Sequence, residues 1–552
     1  ATMLQPQRRT DIPEMTQLVA KTAFPKGSIF MTLRDELGPI FEDERFAHLY
    51  PGTGQPSESP ARLAMVTIMQ FLENLTDRQA ADAVRGRIDW KYGLGLELTD
   101  PGFHYSVLSE FRQRLVTGES ESMLLDVLLE QCEAKGLLGG KQKQRTDSTH
   151  ILAAVRSLTW TELVGETMRR ALDAIAQVAP AWLALQFQPE WVKRYGRRFD
   201  SYRLPKGRAD REALAVTIGA DGFQLMEAIY FQPVSERLRE LPIIEAMRRI
   251  WIQQFYCDGD QIHWRKQKKW GQPPSNQIIA SPDDKDARYA IKRATEWVGY
   301  KVHFTETCAA EHPRLITQVE TTVATTHDVH MTEQIQDDLI AKGLQPEQQL
   351  VDMGYMEADL LVSSQNKGID LVGPVPSSKS WQDRVEEAFD HTQFDIDWKQ
   401  RVATCPGGKT SSSCSDRQTR RGTPNLVFHF SSTDCQPCSL RHRCSRAKAT
   451  GRTLTVYPQD QYETLVKARE QQETDEFKQQ YSARAGIEGT ISQATGPMAV
   501  RRSRYIGLDR TRLQHVATAA AINLARIANW LQGERPTTTR PSPFLELAAQ
   551  MA

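Results

Sequence analysis

The sequence predicts an α/β protein in which a sheet with long insertions follows an all-helical N-terminal region and carries a small cysteine-rich insert. Three observations predict it. Helical periodicity governs residues 1–139, short strands alternate with a helix across 140–400, and five of the eight cysteines fall between Cys405 and Cys444. A chain of 552 residues has room for three or four such units, and 40% hydrophobic with 25% charged residues is ordinary globular composition. The 69 basic and 69 acidic side chains cancel, so any affinity for nucleic acid must come from local charge.

In the first region, Ala61 to Leu75 repeats its apolar residues at three- and four-residue spacing. Thr76-x-x-Gln79 reads as a capping box opening a second helix, Asp77 to Ile88, and Ser106 to Leu115 reads as a third. Short helices separated by turns suit a helix-turn-helix reader or a plain packing domain.

From Gly140 the pattern changes. Lys143 to Val155 predicts a strand, Trp160 to Val178 a helix, and about 156–290 a long insertion of mixed character. Period-two alternation returns at Gly299 to Thr305, with Tyr300, Val302 and Phe304 on one face. Leu315 to Val323 predicts another strand, and Met331 to Lys342 a helix closed by Gly343. Two short strands, Gln349 to Asp352 and Ile369 to Val375, complete the set. Residues 401–450 hold nine basic side chains (Arg401, Lys409, Arg417, Arg420, Arg421, Arg441, Arg443, Arg446, Lys448) against Asp416 and Asp434. That is a natural surface for contacting a nucleic-acid backbone, or else simply a solvated face. Residues 451–552 turn helical from Asp460 and end in a Pro/Thr-rich tail, Glu534 to Pro543, expected to be flexible.

No run approaches the ~18 apolar residues of a membrane span, and the opening Met3 to Arg9 lacks the apolar core of a secretory signal. The expectation is a soluble intracellular protein with no membrane partner.

Three acids stand in chemically suggestive places. Asp147 lies inside a strand, where an acid is disfavoured unless it faces a site. Asp352 ends a strand, the position where open α/β sheets bind ligands. Glu488 shares one face of a predicted helix, Phe477 to Gln493, with Tyr481 and Arg484. Asp284, Asp286 and Asp328 are further acids, read as structural.

In order and context these pieces resemble the DDE transposases of bacterial insertion sequences, the group with a Tyr-x2-Arg-x3-Glu helix. The matching segments are Thr146-Asp147-Ser148, Trp297-Val298-Gly299-Tyr300-Lys301-Val302-His303, Leu350 to Tyr355, Tyr481-x2-Arg484-x3-Glu488, and the run Arg501-Arg502-Ser503-Arg504-Tyr505-x-Gly507-Leu508. The resemblance implies an RNase H-like core with Asp147 on its first strand, Asp352 after its fourth, and Glu488 on a later helix. It implies a DNA transposase that binds terminal inverted repeats, cleaves the ends and joins the 3′-hydroxyls to target DNA. An RNase H-like nuclease and a transposase-derived DNA binder without catalysis are the alternatives. Residues 1–139 would then bind DNA ends, and the chain would act in the bacterial cytoplasm as a homodimer or larger synaptic assembly, associated with the nucleoid.

Phosphodiester transfer accounts for the three acids. Two Mg²⁺ (or Mn²⁺) ions ~3.5–4 Å apart activate the attacking oxygen and stabilise the leaving one. Asp147, Asp352 and Glu488 would hold them, and Arg484 would grip a phosphate with its planar fork. Tyr481 would lie near the strand end. Where the family often has a Lys seven residues after the Glu, this chain has Thr495, so Arg501, Arg502 or Arg504 is expected to make the phosphate contact.

Cys405, Cys435, Cys438 and Cys444 have the composition of a closed structural Zn²⁺ site, with Cys414 and His442 as spare candidates; reduced, unliganded thiols are the other reading. Trp381, just before this insert, is placed to stack on a base or to pack in a core.

Overall fold

The computed structural model describes all residues except 1, 5, 7–10, 232–235, 266–270, 377–379, 386, 420–421, 536–543, 545–546 and 548–552. Arg420, Arg421 and most of the Pro/Thr-rich tail therefore lie outside the described residues.

A six-stranded mixed sheet forms the centre. Its strands are β1 (Lys143–Leu152), β2 (Arg288–Lys292), β3 (Thr295–Thr307), β4 (Ile316–Val323), β5 (Gln348–Leu350) and β6 (Asp370–Val372). The order is β6-β5-β1-β3, and β3 then pairs with both β2 and β4. Strand β3 runs antiparallel to both of its neighbours β1 and β4, whereas β5 and β6 run parallel to β1. The alternation expected in Gly299 to Thr305 holds for the backbone, but helices cover both faces, so His303 and Thr305 are as buried as Val302 and Phe304. Gly299 answers a close approach: a Cβ there would sit 2.1 Å from the Ile151 carbonyl oxygen on β1.

The N-terminal region is helical, as its periodicity requires. The first predicted stripe forms α1 (Pro60–Leu72), capped by Ser59. The next helix, Asp77–Gly86, opens with the Thr76/Gln79 capping box, in which both reciprocal hydrogen bonds are present. A single apolar core runs from Phe30 and Phe71 through Ile151 and Phe304 on the sheet to Ala528 near the C-terminus. The long insertion builds a core of its own from Leu163, Trp191, Leu225, Trp251 and their neighbours.

The C-terminal part supplies α2 (Asp475–Ser482), α3 (Ile487–Thr495) and α4 (Leu508–Leu531). Here the predicted continuous helix over Phe477 to Gln493 is corrected: a 3₁₀ turn, Ala483–Gly486, separates α2 from α3. The physical reason lies in the sheet, because Arg145 of β1 reaches under the turn and takes the Ala483 carbonyl.

Asp284 and Asp286 have structural partners. Tyr300 donates to Asp284, and the two carboxylates accept the backbone N–H groups of Gly507 and Leu508 at the start of α4. Asp328 pairs with Lys301 at 3.0 Å. Among the described residues, no helix is long and apolar enough to cross a membrane.

Candidate active site

Asp147 sits in the middle of β1, 6% exposed. One carboxylate oxygen accepts the Ser148 N–H at 2.7 Å, and the other accepts Arg484 Nη2 at 2.5 Å. Burial pushes its pKa up to about 6; the Arg484 guanidinium and the Ser148 N–H oppose this, and the charges of Asp352 and Glu488 add to it. Asp352 follows β5 and N-caps the one-turn helix Met353–Tyr355, its side chain accepting from Gly354 N–H at 2.8 Å. Because the short β2 forms a hairpin with β3, β5 is fifth in chain order rather than fourth. Glu488 lies in the first turn of α3 with its side chain exposed, 3.6 Å from Arg484 Nη1.

Arg484 therefore stands between acids from opposite ends of the sequence. Its Nε is buried without a hydrogen-bond partner. Tyr481 stacks on Phe477 with ring centroids 5.5 Å apart; burial raises its phenol, against the pull of Arg484 and with help from Asp352 and Asp147. Two carboxylates, Asp147 and Glu488, flank one guanidinium and leave an excess of negative charge, the condition under which carboxylates take a divalent cation. Among the described residues, however, no group of three or more His, Cys, Asp or Glu side chains is gathered tightly enough to hold a metal. The charges of Asp352 and Glu488 both reach Asp147, and Arg484 lies between Asp147 and Glu488.

Two of the three trailing arginines are used inside the fold. Arg501 Nη1 donates to Thr149, the His150 carbonyl and the His150 ring, and Arg504 donates to the Leu75 carbonyl and Asn74 while lying over Phe71. Arg502 is exposed, and its side chain makes no hydrogen bond or ion pair among the described residues. Thr495, in the position of the missing Lys, donates to the Ile491 carbonyl.

The cysteine-rich segment folds as a small antiparallel module. A hairpin pairs Asp395–Asp397 with Val402–Thr404, and three strands (Ser413–Gln418, Pro424–His429, Thr453–Val456) pack on Phe389, Phe394 and Phe430. Cys405 and Cys435 each accept a backbone N–H on sulfur, from Lys409 and Arg452, at 3.4 Å. Burial raises the Cys444 thiol; Arg452 opposes this, and Cys435, Cys405 and Cys438 add to it. The spare candidates are placed differently: Cys414 lies on a strand beside Arg401, and His442 faces the Ser439 carbonyl. Arg401 and Lys409 pair with Asp416 and Asp434, Arg443 covers Phe389, and Arg446 covers half-buried Trp381 at 4.3 Å. Arg417 and Lys448 are exposed, with no side-chain partner among the described residues.

Sequence reasoning passed over a buried set behind the acids. His303 hydrogen-bonds Tyr355 at 2.6 Å, three residues after Asp352, and Glu306 is wholly buried among arginines. The sequence signals were the resemblances of the Trp297 to His303 and Leu350 to Tyr355 segments, neither of which includes Glu306.

Comparison with known families gives two matches. The Transposase DDE domain matches residues 404–528, which include the four cysteines and the Tyr481, Arg484 and Glu488 segment. The Transposase domain (DUF772) matches residues 20–114, within the N-terminal helices. Asp147 and Asp352 lie outside both. No curated protein and no solved structure matches the chain. A DDE domain implies an RNase H-like core and the use of Mg²⁺ or Mn²⁺. Two transposase families, matched at opposite ends of one chain, make it consistent with a DDE transposase of an insertion sequence, and that is the family this protein resembles.

Proposed function

We propose that the protein binds the terminal inverted repeats of an insertion sequence, cleaves the ends by hydrolysis, and joins the 3′-hydroxyl ends to target DNA. One observation carries this reading: Arg484 pairs with Asp147 and approaches Glu488, so the strand acid and the helix acid share one counter-charge. The strand order, with β1 central between antiparallel β3–β4 and parallel β5–β6, supports an RNase H-like core.

In this reading Asp147, Asp352 and Glu488 hold two Mg²⁺ or Mn²⁺ ions, which when bound lower the barrier to oxygen attack and stabilise the leaving oxygen. The carboxylates supply negative oxygen ligands from a sheet and a helix whose spacing the core fixes. Arg484, which pairs with Asp147, would offer its planar fork to a DNA phosphate. Tyr481 packs beside it. The N-terminal helices hold the DNA end, and two chains synapse two ends. We further propose that Cys405, Cys435, Cys438 and Cys444 bind one structural Zn²⁺. The N–H···S hydrogen bonds at Cys405 and Cys435 suit thiolates, which are the zinc-binding form.

The test sets cleavage and strand transfer of a labelled end fragment beside binding of the same fragment. Asp147→Asn, Asp352→Asn and Glu488→Gln should each abolish both reactions while binding survives, because affinity resides in basic contacts. A double substitution should be little worse than a single one, since the acids act as a unit. Normal cleavage by Glu488→Gln would remove Glu488 from the site, and cleavage without joining by the unaltered protein would make it a nuclease.

A further inference from the structure

Glu306, at the end of β3, is 0% exposed, and donors from three other elements converge on it. Arg145 on β1 approaches one carboxylate oxygen with Nε at 2.7 Å and Nη2 at 2.5 Å. Arg526 on α4 donates to the other oxygen at 2.6 Å, and the Thr490 hydroxyl on α3 donates to it at 2.5 Å. The remaining donors of the two arginines extend the set. Arg145 Nη1 takes the Ala483 carbonyl at 2.6 Å, and Arg526 Nη2 donates to the Thr490 hydroxyl at 2.6 Å.

The sequence positions give this network its direction. Arg145 precedes Asp147 by two residues on one strand, so both side chains lie on the same face of β1. Thr490 follows Glu488 by two residues on α3. Glu306 thus joins the strand of one candidate metal ligand to the helix of another. Helix α3 has nine residues, too few to be stable alone, and buries only Ile487, Thr490, Ile491 and Ala494. Apolar contact of that size does not fix a helix against a one-residue slip, which would turn Glu488 by about 100° away from Asp147. A buried ion network adds little net stability, but its directional hydrogen bonds select one arrangement. Gly486 makes room for it: a Cβ there would lie 2.0 Å from Arg145 Nη1.

We infer that Glu306, with Arg145, Arg526 and Thr490, is the positioning device for Glu488, setting the rotation and register of α3 against β1 so that the third carboxylate faces the first. The inference rests on the proposed reading of Asp147, Asp352 and Glu488 as joint ligands.

The test uses the full chain in four variants: Thr490→Val, which removes the bridging hydroxyl; Thr490→Ser, which restores it; Gly486→Ala, which pushes Arg145 off the turn; and Glu488→Gln as reference. Mn²⁺ binding is read by electron paramagnetic resonance, alongside melting temperature, affinity for end DNA and single-turnover cleavage. Thr490→Val and Gly486→Ala should lower Mn²⁺ affinity and cleavage rate at saturating DNA about 10–100-fold, the usual cost of losing a ligand's support. DNA affinity should stay at the wild-type value, Thr490→Ser should recover both losses, and Mn²⁺ binding should fall toward that of Glu488→Gln. Wild-type Mn²⁺ affinity in both Thr490→Val and Gly486→Ala would overturn the inference, as would parallel losses of stability and DNA affinity with no rescue by Ser. If the unaltered protein neither cuts nor joins DNA, the functional reading fails while the Mn²⁺ measurement still decides the positioning role. If Glu488→Gln binds Mn²⁺ as the wild type does, the ligand assignment falls and this inference with it.

Discussion

Arg501, Arg502 and Arg504 look interchangeable as a run, yet their guanidinium groups have different employments. Arg501 is spent on β1, Arg504 is spent on the N-terminal helices, and Arg502 faces solvent. A run of arginines advertises charge, but a side chain with five donors and a long stem goes wherever carbonyls are left over, and tertiary packing decides that. The consequence is measurable. Arg502→Ala should reduce the slope of log affinity for end DNA against log salt by about one, the value for one lost phosphate contact, with melting temperature unchanged. Arg504→Ala should lower the melting temperature, because it removes one of the two donors to the Leu75 carbonyl, the donor to Asn74, and the cover over Phe71. An unchanged slope in Arg502→Ala would place the DNA on another face.

Among elements, legibility followed the range of the interactions that build each one. The Thr76/Gln79 capping box and the helix Trp160–Val178 were readable because their determinants are local: a cap, a stripe and a boundary. The break between α2 and α3 was not readable. Ala483 to Gly486 carry no proline, and the cause is a carbonyl diverted to Arg145, far away in sequence. Asp147 and Asp352 stand out in the sequence as in-strand and strand-end acids and Glu488 by the helix face it shares with Tyr481 and Arg484, whereas nothing local marks Glu306, whose burial depends on tertiary packing. The cysteine-rich module lies between these cases, since its cysteine spacing is local but its strands close only in three dimensions. If it owes its order to zinc, elemental analysis of chelator-washed protein should find one Zn²⁺ per chain. Cys438→Ser should then expose this module to protease while the central sheet keeps its melting transition, because metal binding stabilises locally. Protein free of zinc after washing, with the module equally resistant in Cys438→Ser, would leave the module resting on Phe389, Phe428 and Phe430 alone.

The molecule as a whole is tied together by α4, which runs through the main core between the N-terminal helices and the sheet. Its His515 is fully buried and bonded to Thr321 of β4 at 2.7 Å, while its other ring nitrogen has no partner. Protonation would place an unpaired charge in that core, so burial lowers the His515 pKa to about 3. His303 beside Tyr355 is lowered to about 4 by burial, with Asp328 opposing. The sign of the linkage follows. Below pH 6.5 the unfolded histidine takes up a proton that the folded one refuses, so the unfolded state binds more protons and stability falls as pH falls. The contribution of His515 is fully present above pH 6.5 and drains away toward pH 3, reaching a loss of about 3 kcal/mol by pH 4. Asp147, raised to about 6, acts in the opposite sense, because the folded state keeps a proton that the unfolded state has lost. The total curve therefore mixes signs, and a difference curve isolates one group. His515→Gln keeps a polar group in the cavity but cannot titrate. Its stability deficit relative to wild type should be largest above pH 6.5, and should shrink and then reverse as pH falls toward 4. Melting temperatures of both proteins at half-unit intervals would show it, and parallel curves across that window would mean that His515 is already protonated in the folded protein.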